Sequence, residues 1–342
     1  MKKISLNFKE IASYAKKLIN TPSPTGYTQK VKDYLIENAK SKNIDYKITK
    51  KGAVIYKFEN KHNDKNIMMA AHLDTLGAMV KQVKKDKIKI TNIGGYPSIY
   101  VIGDYCKIHT FDEKIYQGTI LPENPAVHVN KNLKTKEIKI KDLYIRPDIN
   151  LKDDQELSDF IKVGNFVSFD PKFQLLNNFI KGRHMDDKSS AAILLHVADL
   201  LLSKIKNLNN NIYIFFNITE ETGQGISGFP EIDDLLIVDM GVVGNNVEGD
   251  EYSVSICSKD SSGPYNYEIV KKLIKLSDKN EIKYKTDTFP YYGSDGSAAL
   301  RAGNDIRVGL IGPGVSASHG YERTHKSGLM NTAKLILEFI KE

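Results

Sequence analysis

The sequence predicts an α/β protein: a mostly parallel sheet with helices on both faces, interrupted by a small antiparallel β module. Three observations predict it. Apolar runs at 67–71 (IMMAA), 212–218 and 235–239 are continuous rather than alternating, as in strands buried on both faces. Helical patterns separate them, which calls for parallel pairing through crossovers. From about 81 to 171, short segments such as KIKIT, VIGDYCKIHT and KIYQGTIL instead alternate polar and apolar residues at period two.

Taken in order, the chain opens with a helix. Asn7 followed by Glu10 reads as an N-cap with its capping partner, and Ile11, Ala15 and Leu18 share one face. The prolines of TPSPTG (21–26) stop it. A second helical pattern carries Val31, Tyr34 and Leu35, and strands follow at 53–58 and 67–71. Beyond Gly77 comes the β module, a barrel or a sandwich, with a hint of helix only at 151–161. At Gly182 the α/β pattern returns: helix at 187–206, strands at 212–218 and 235–239, then further elements at 267–276, 282–285, 297–301, 308–311 and 330–341. With 342 residues and ~100–200 per domain, the simplest division is one α/β domain from 1–76 and 178–342, with 77–177 inserted.

Composition narrows the function. Hydrophobic residues make up 41% and charged residues 27%, ordinary for a protein with a substantial core. The net charge is +7, and the 49 basic residues are almost all lysine, since only Arg146, Arg183, Arg301, Arg307 and Arg323 are arginine. The lysines are spread along the chain, which suits solvated faces and blunted sheet edges, not a nucleic-acid surface. The longest apolar stretch, 191–202, is broken by His196 and Asp199 and falls short of the ~20 residues of a membrane span. MKKISLNFKE lacks the apolar core of a signal peptide, and Cys106 and Cys257 make no disulfide framework. A cytoplasmic protein is expected.

In open α/β sheets, working residues collect at the carboxyl ends of strands. Reading past each predicted strand gives His72 and Asp74, then Glu220-Glu221, Asp239, and the His319 and His325 region; Asp186-Asp187 precedes the long helix. Singly, each has an ordinary explanation: a hydrogen-bonded histidine, a helix cap, a solvated glutamate. Together they fall at one predicted sheet edge, where carboxylates abutting apolar strands are costly unless paired or metal-bound. Nitrogen and carboxylate donors without thiolate suit Zn²⁺, Co²⁺ or Mn²⁺, and there are more donors than one tetrahedral zinc can use. Two divalent ions sharing a carboxylate fit better. Asp74, two residues beyond His72 in an extended segment, is placed to steer the imidazole.

The segments AHLDTLGAMV, GRHMDDKSSAAILL, TEETGQGISG and IVDMG, followed by YYGSDGSAA and SASHGYERTH, resemble the glutamyl aminopeptidase family, metallopeptidase family 42, which holds the tetrahedral dodecameric aminopeptidases. The resemblance spans nearly the whole chain and keeps the motif order. It implies a phosphorylase/hydrolase-like α/β catalytic domain and an inserted small antiparallel β-barrel dimerisation domain. Residue by residue, it implies that His72 binds one metal, Asp186 bridges two, Glu221 and Asp239 each complete one shell, and His325 binds the second ion. Glu220 matches the general base and Asp74 the carboxylate behind His72. Lys188 stands where the family's arginine usually follows the paired aspartates. His319 and His325 compete for the last ligand, and Arg323 and Ser327 around His325 better match the family pattern.

The expected activity is hydrolysis of the N-terminal residue from short peptides by a metal-bridging water whose proton Glu220 accepts. The expected particle is a homo-oligomer of dimers up to a dodecamer, with no nucleic-acid or membrane partner. The alternative is a related di-metal deacylase or carboxypeptidase acting on a different amide. Carbohydrate hydrolysis by Glu220 and Glu221 is disfavoured, because adjacent residues rarely flank a glycosidic bond at ~5–9.5 Å and such a site needs no histidines.

Overall fold

The computed structural model describes residues 6–59, 65–203 and 209–342. The first five residues of the N-terminal stretch and the predicted helix end at 204–206 lie outside those residues. Asn7 caps the helix Phe8–Ile19 by accepting from the Lys9 N–H, and its own amide donates to Glu10. Ile11, Ala15 and Leu18 are buried on its inner face. The second helix, Gln29–Ser41, buries Val31, Leu35 and Ala39.

Asn66–His72 lies at the centre of a large mixed sheet. It pairs in parallel with Asn211–Asn217 on one side and Asp234–Val238 on the other, and Asp234–Val238 pairs in parallel with Arg307–Ser316. Successive side chains of the central strand enter different cores, Ile67 and Met69 one, Met68 and Ala70 the other, which is why its sequence shows no alternation. The first core is covered by Phe8–Ile19, Gln29–Ser41, Met185–Ser203, Tyr267–Lys279 and Lys326–Lys341. On the second face, Asp295–Arg301 contributes Ala299 beside loop residues such as Ile226 and Ile232. Antiparallel strands extend the sheet: Val54–Phe58 on Asn211–Asn217, and Val254–Asp260 on Arg307–Ser316.

The β module closes into a six-stranded antiparallel barrel. Its order is Gly77–Val83, Ile88–Ile93, Leu143–Pro147, Ile115–Pro122, Tyr105–His109 and Phe166–Phe169. Val80, Ile90, Ile108, Ile120, Ile145 and Val167 fill it. The expected helix at 151–161 shrinks to the single turn Leu157–Phe160. Gln174–Leu176 and Phe179–Gly182 belong to the large sheet, because Phe179–Gly182 pairs with Glu322–His325 rather than with a barrel strand. The strand expected at 282–285 is displaced to Tyr284–Thr288, where it pairs with Val254–Asp260. No helix among the described residues is long and apolar enough to cross a membrane.

Candidate active site

The parallel strands end on one side of the sheet, and their last residues meet there. His72 closes Asn66–His72, and Asp239 follows Asp234–Val238. Glu220 and Glu221 lie three and four residues beyond Asn211–Asn217. Asp186 and Asp187 arrive from the start of Met185–Ser203, where both have non-helical backbone angles and share a cis peptide bond. All these side chains except that of Glu220, which is 19% exposed, are nearly or fully buried.

The hydrogen bonds orient the donors. His72 Nδ1 lies 3.0 Å from the Asp74 carbonyl oxygen, which assigns the ring proton to Nδ1 and leaves Nε2 facing Asp186 Oδ1 at 3.1 Å and Glu220 Oε2 at 3.7 Å. Asp74 is fully buried and accepts from Thr25 Oγ1 at 2.7 Å. It also accepts from the backbone N–H groups of Glu220 at 3.1 Å and Glu221 at 3.2 Å. The Asp74 carbonyl therefore orients the histidine, while the Asp74 carboxylate, 3.6 Å from the same ring nitrogen, pins the segment carrying both glutamates.

His319 comes from the loop after Arg307–Ser316. Its Nδ1 contacts the Gly95 carbonyl in the inserted module, which points Nε2 at Asp186 Oδ2, 3.4 Å away, and Glu221 Oε2, 3.7 Å away. Glu322, which sequence reasoning missed, accepts from the backbone N–H groups of His319, Met185 and Asp186. Its only signal in the sequence is its place three residues after His319. Arg183, also missed, bonds Asp104 and the Tyr100 carbonyl and lies over the Tyr321 ring at 4.2 Å, so it ties the module to the segments carrying Asp186 and His319.

His325 is not in the cluster, contrary to the expectation from its neighbours Arg323 and Ser327. It ends Glu322–His325, pairs with Phe179, and caps Lys326–Lys341 by accepting from the Ser327 N–H at 3.1 Å. Its ring packs on Phe179 and Tyr252, with centroids 4.7 Å away in each case. Arg323, two residues earlier, is held bidentately by Glu251. The sequence around His325 encodes a strand-to-helix junction.

The electrostatics show a shortage of positive charge. Burial, reinforced by Asp239, raises Glu220 well above the usual carboxylate range, although His72 opposes the shift. Burial and Asp186 do the same to Glu221 and push Asp239 up to about 7. Burial would also raise Asp186, but hydrogen bonds with His319 and His72 hold it well below the usual range. Burial lowers both imidazoles, yet Asp186 outweighs it, keeping His72 well above its ordinary value and His319 at about 10. Asp187 Oδ1 is buried without a hydrogen-bond partner. Ligating atoms of His72, Asp186 and Glu221 lie within 4.8 Å of one another, as do those of His72, Asp187 and Asp239. This buried, anionic nitrogen–oxygen donor set fits divalent cations.

The description "M42 glutamyl aminopeptidase" belongs to a family model that matches residues 52–335. The chain belongs to that family. As a member of the M42 family it is a hydrolase of peptide bonds, and M42 peptidases are metal-dependent. It is 43% identical over 333 residues to the Bacillus subtilis (strain 168) protein named "Putative aminopeptidase YhfE", covering 95% of this chain and 96% of that one. The fold matches a TET aminopeptidase from a marine sediment Thaumarchaeota archaeon with a TM-score of 0.87, at 18% identity and 97% coverage of both chains. It also matches the Pyrococcus horikoshii TET1 peptidase, described as assembling into a tetrahedron or a large octahedral shell. That match has a TM-score of 0.84 at 21% identity and covers 97% of this chain and 99% of that one.

Proposed function

We propose that the protein is a di-metal aminopeptidase that removes single N-terminal residues from short peptides. The observation that carries this reading is the convergence of Asp186 with His72 on one side and His319 on the other, both within 3.4 Å. His72, Asp186 and Asp239 would hold one ion, and Asp186, Glu221 and His319 the other. Asp186 is shared, and His319 takes the role first expected of His325. Zn²⁺ suits these donors, as do Co²⁺ and Mn²⁺. Bound there, two cations supply the charge that acidifies water and polarises a carbonyl.

The chain's own residues do the rest. Glu220 keeps its carboxylate partly exposed at the cavity, where it accepts a proton from the attacking water and returns it to the leaving amine. Asp74 fixes the Glu220 backbone and the His72 ring, so the base and the donor keep one geometry as the reaction proceeds. The carboxylates lining the cavity attract the substrate's α-ammonium group, which favours cleavage of the first peptide bond. The test is to strip the protein with a chelator, restore Zn²⁺, Co²⁺ or Mn²⁺ separately, and assay aminoacyl-anilides beside N-acyl amino acids. Binding should saturate near two ions per chain with aminoacyl-anilides hydrolysed. Turnover of N-acyl amino acids alone would support a deacylase and overturn the reading.

The same proposal extends to assembly: residues 77–177 act as a dimerisation unit, and dimers build a homo-oligomer as large as a dodecamer. Exposed Ile99, Phe111, Val129 and Val163 in the inserted module support an interface role, as do the TET structures of similar fold. Sedimentation of the metal-loaded protein at micromolar concentration should show an oligomer; a monomer would overturn the idea. Two buried free thiols, Cys106 and Cys257, accord with a cytoplasmic location.

A further inference from the structure

A cavity of about 700 Å³ opens beside the cluster, and Asp186, Glu220, Glu221 and Asp239 are among the residues lining it. His319 of the cluster also lines it; of the remaining side chains Asn245, Asn246 and Ser318 are polar but uncharged, and most of the others are apolar or aromatic. Met240 follows Asp239 directly, so the wall changes from anionic to apolar within one residue. Val242, Val247, Phe289, Pro290 and Tyr292 continue it. Phe289 is 2% exposed and packs on Tyr292 with ring centroids 5.3 Å apart, while Tyr292 Oη donates to the Met240 carbonyl at 3.0 Å. Val242 and Tyr292 also rest against both cores of the large sheet. The wall is therefore anchored on both sides. Among the described residues lining the cavity there is no lysine or arginine, and every carboxylate belongs to the cluster itself.

We propose that this wall receives the side chain of the substrate's N-terminal residue and selects an uncharged, apolar one. Leucyl, methionyl and phenylalanyl substrates are then preferred over glutamyl and lysyl ones. The inference rests on the aminopeptidase reading: with the α-amine and scissile carbonyl held at the carboxylate cluster, the side chain is left to the remaining, largely apolar wall. A glutamyl carboxylate there would lose its hydration and face only uncharged groups such as the Asn245 and Asn246 amides, because His319 is turned to Asp186 and Glu221. A lysyl ammonium would meet no carboxylate along the wall. Burying either charge unpaired carries a larger penalty than the loss of a few methylene contacts. The family's description as glutamyl aminopeptidases thus does not describe this pocket.

The test is kcat/KM of the metal-loaded enzyme on leucyl-, methionyl-, phenylalanyl-, glutamyl- and lysyl-anilides, with N-acetyl-leucine as control. The best apolar substrate should exceed the glutamyl and lysyl ones by about 100-fold or more. A glutamyl or lysyl rate within about tenfold of the best would overturn the selectivity while leaving the aminopeptidase reading intact. Hydrolysis of N-acetyl-leucine with every anilide inert would overturn the reading and the selectivity with it. A second arm uses Val247→Arg, which places a cation on the wall. It should raise the glutamyl-to-leucyl ratio at least about tenfold. An unchanged ratio with leucyl turnover retained would show that the wall does not determine selectivity. Should that variant fold poorly, Val242→Arg makes the same comparison.

Discussion

Alanine substitutions at His319 and His325 should have opposite consequences, although the two residues lie six apart in one short segment. His325→Ala removes a helix cap, an effect of ~0.5–2 kcal/mol, and ring contacts with Phe179 and Tyr252, each of ~0.5–1.5 kcal/mol. The half-exposed setting keeps the combined loss near 2 kcal/mol. His319→Ala removes a nitrogen that faces Asp186 and Glu221 at 3.4 and 3.7 Å. It should cost one of two bound ions and most of the turnover. The assay pairs metal content after dialysis at fixed free Zn²⁺ with urea unfolding of the chelated protein. His325→Ala should keep both ions and shift the urea midpoint downward. An ion lost from His325→Ala, or two ions retained at wild-type affinity by His319→Ala, would refute the reasoning.

Two further perturbations probe the scaffold. His109 is buried, contacts Ser168 Oγ at 2.8 Å and stacks on Tyr27; burial, with Lys30 and Lys107, lowers its pKa to about 4. An unfolded histidine binds its proton near ~6.5, so the unfolded state holds more protons between the two values and stability falls as pH drops through that window. His109→Gln should remove that slope, of order ~3 kcal/mol at most, from urea midpoints compared at pH ~4.5 and ~7; an unchanged slope would contradict the assignment. At Gly312 an added Cβ would lie 1.6 Å from the Asp239 carbonyl oxygen, so Gly312→Ala must move the segment carrying Asp239. A loss of at least ~1–3 kcal/mol and weakened metal binding are expected; an unchanged melting temperature would show that the strand yields freely.

Much of this architecture is legible in the sequence because burial on both faces leaves a direct trace. The runs at 67–71, 212–218 and 235–239 are the central strands, and the residues after them form the cluster. His72, Asp74, Asp186, Glu220, Glu221 and Asp239 all meet, since a strand end fixes where its next residues go. The position of His325 depends on something less local: the pairing of Glu322–His325 with Phe179–Gly182, which carries it to a helix start. Val254–Asp260 was missed because its polar residues, Ser255, Ser258 and Lys259, interrupt the apolar pattern. The Gly95 carbonyl that orients His319 is a backbone group, and no residue type announces it. Glu322 and Arg183 act through contacts to backbone groups and to the barrel segment that only the folded chain brings together.

Glu220 and Glu221 carry different proposed tasks, although they are adjacent and chemically identical. Metal content measured beside kcat for Glu220→Gln and Glu221→Gln tests this division most directly. Glu221→Gln should lose affinity for one ion, because an amide replaces a charged oxygen donor. Glu220→Gln should retain both ions while kcat falls by ~10²–10⁴, the loss expected on removing a general base. Loss of an ion from Glu220→Gln, or near-normal kcat with both ions bound, would contradict the account.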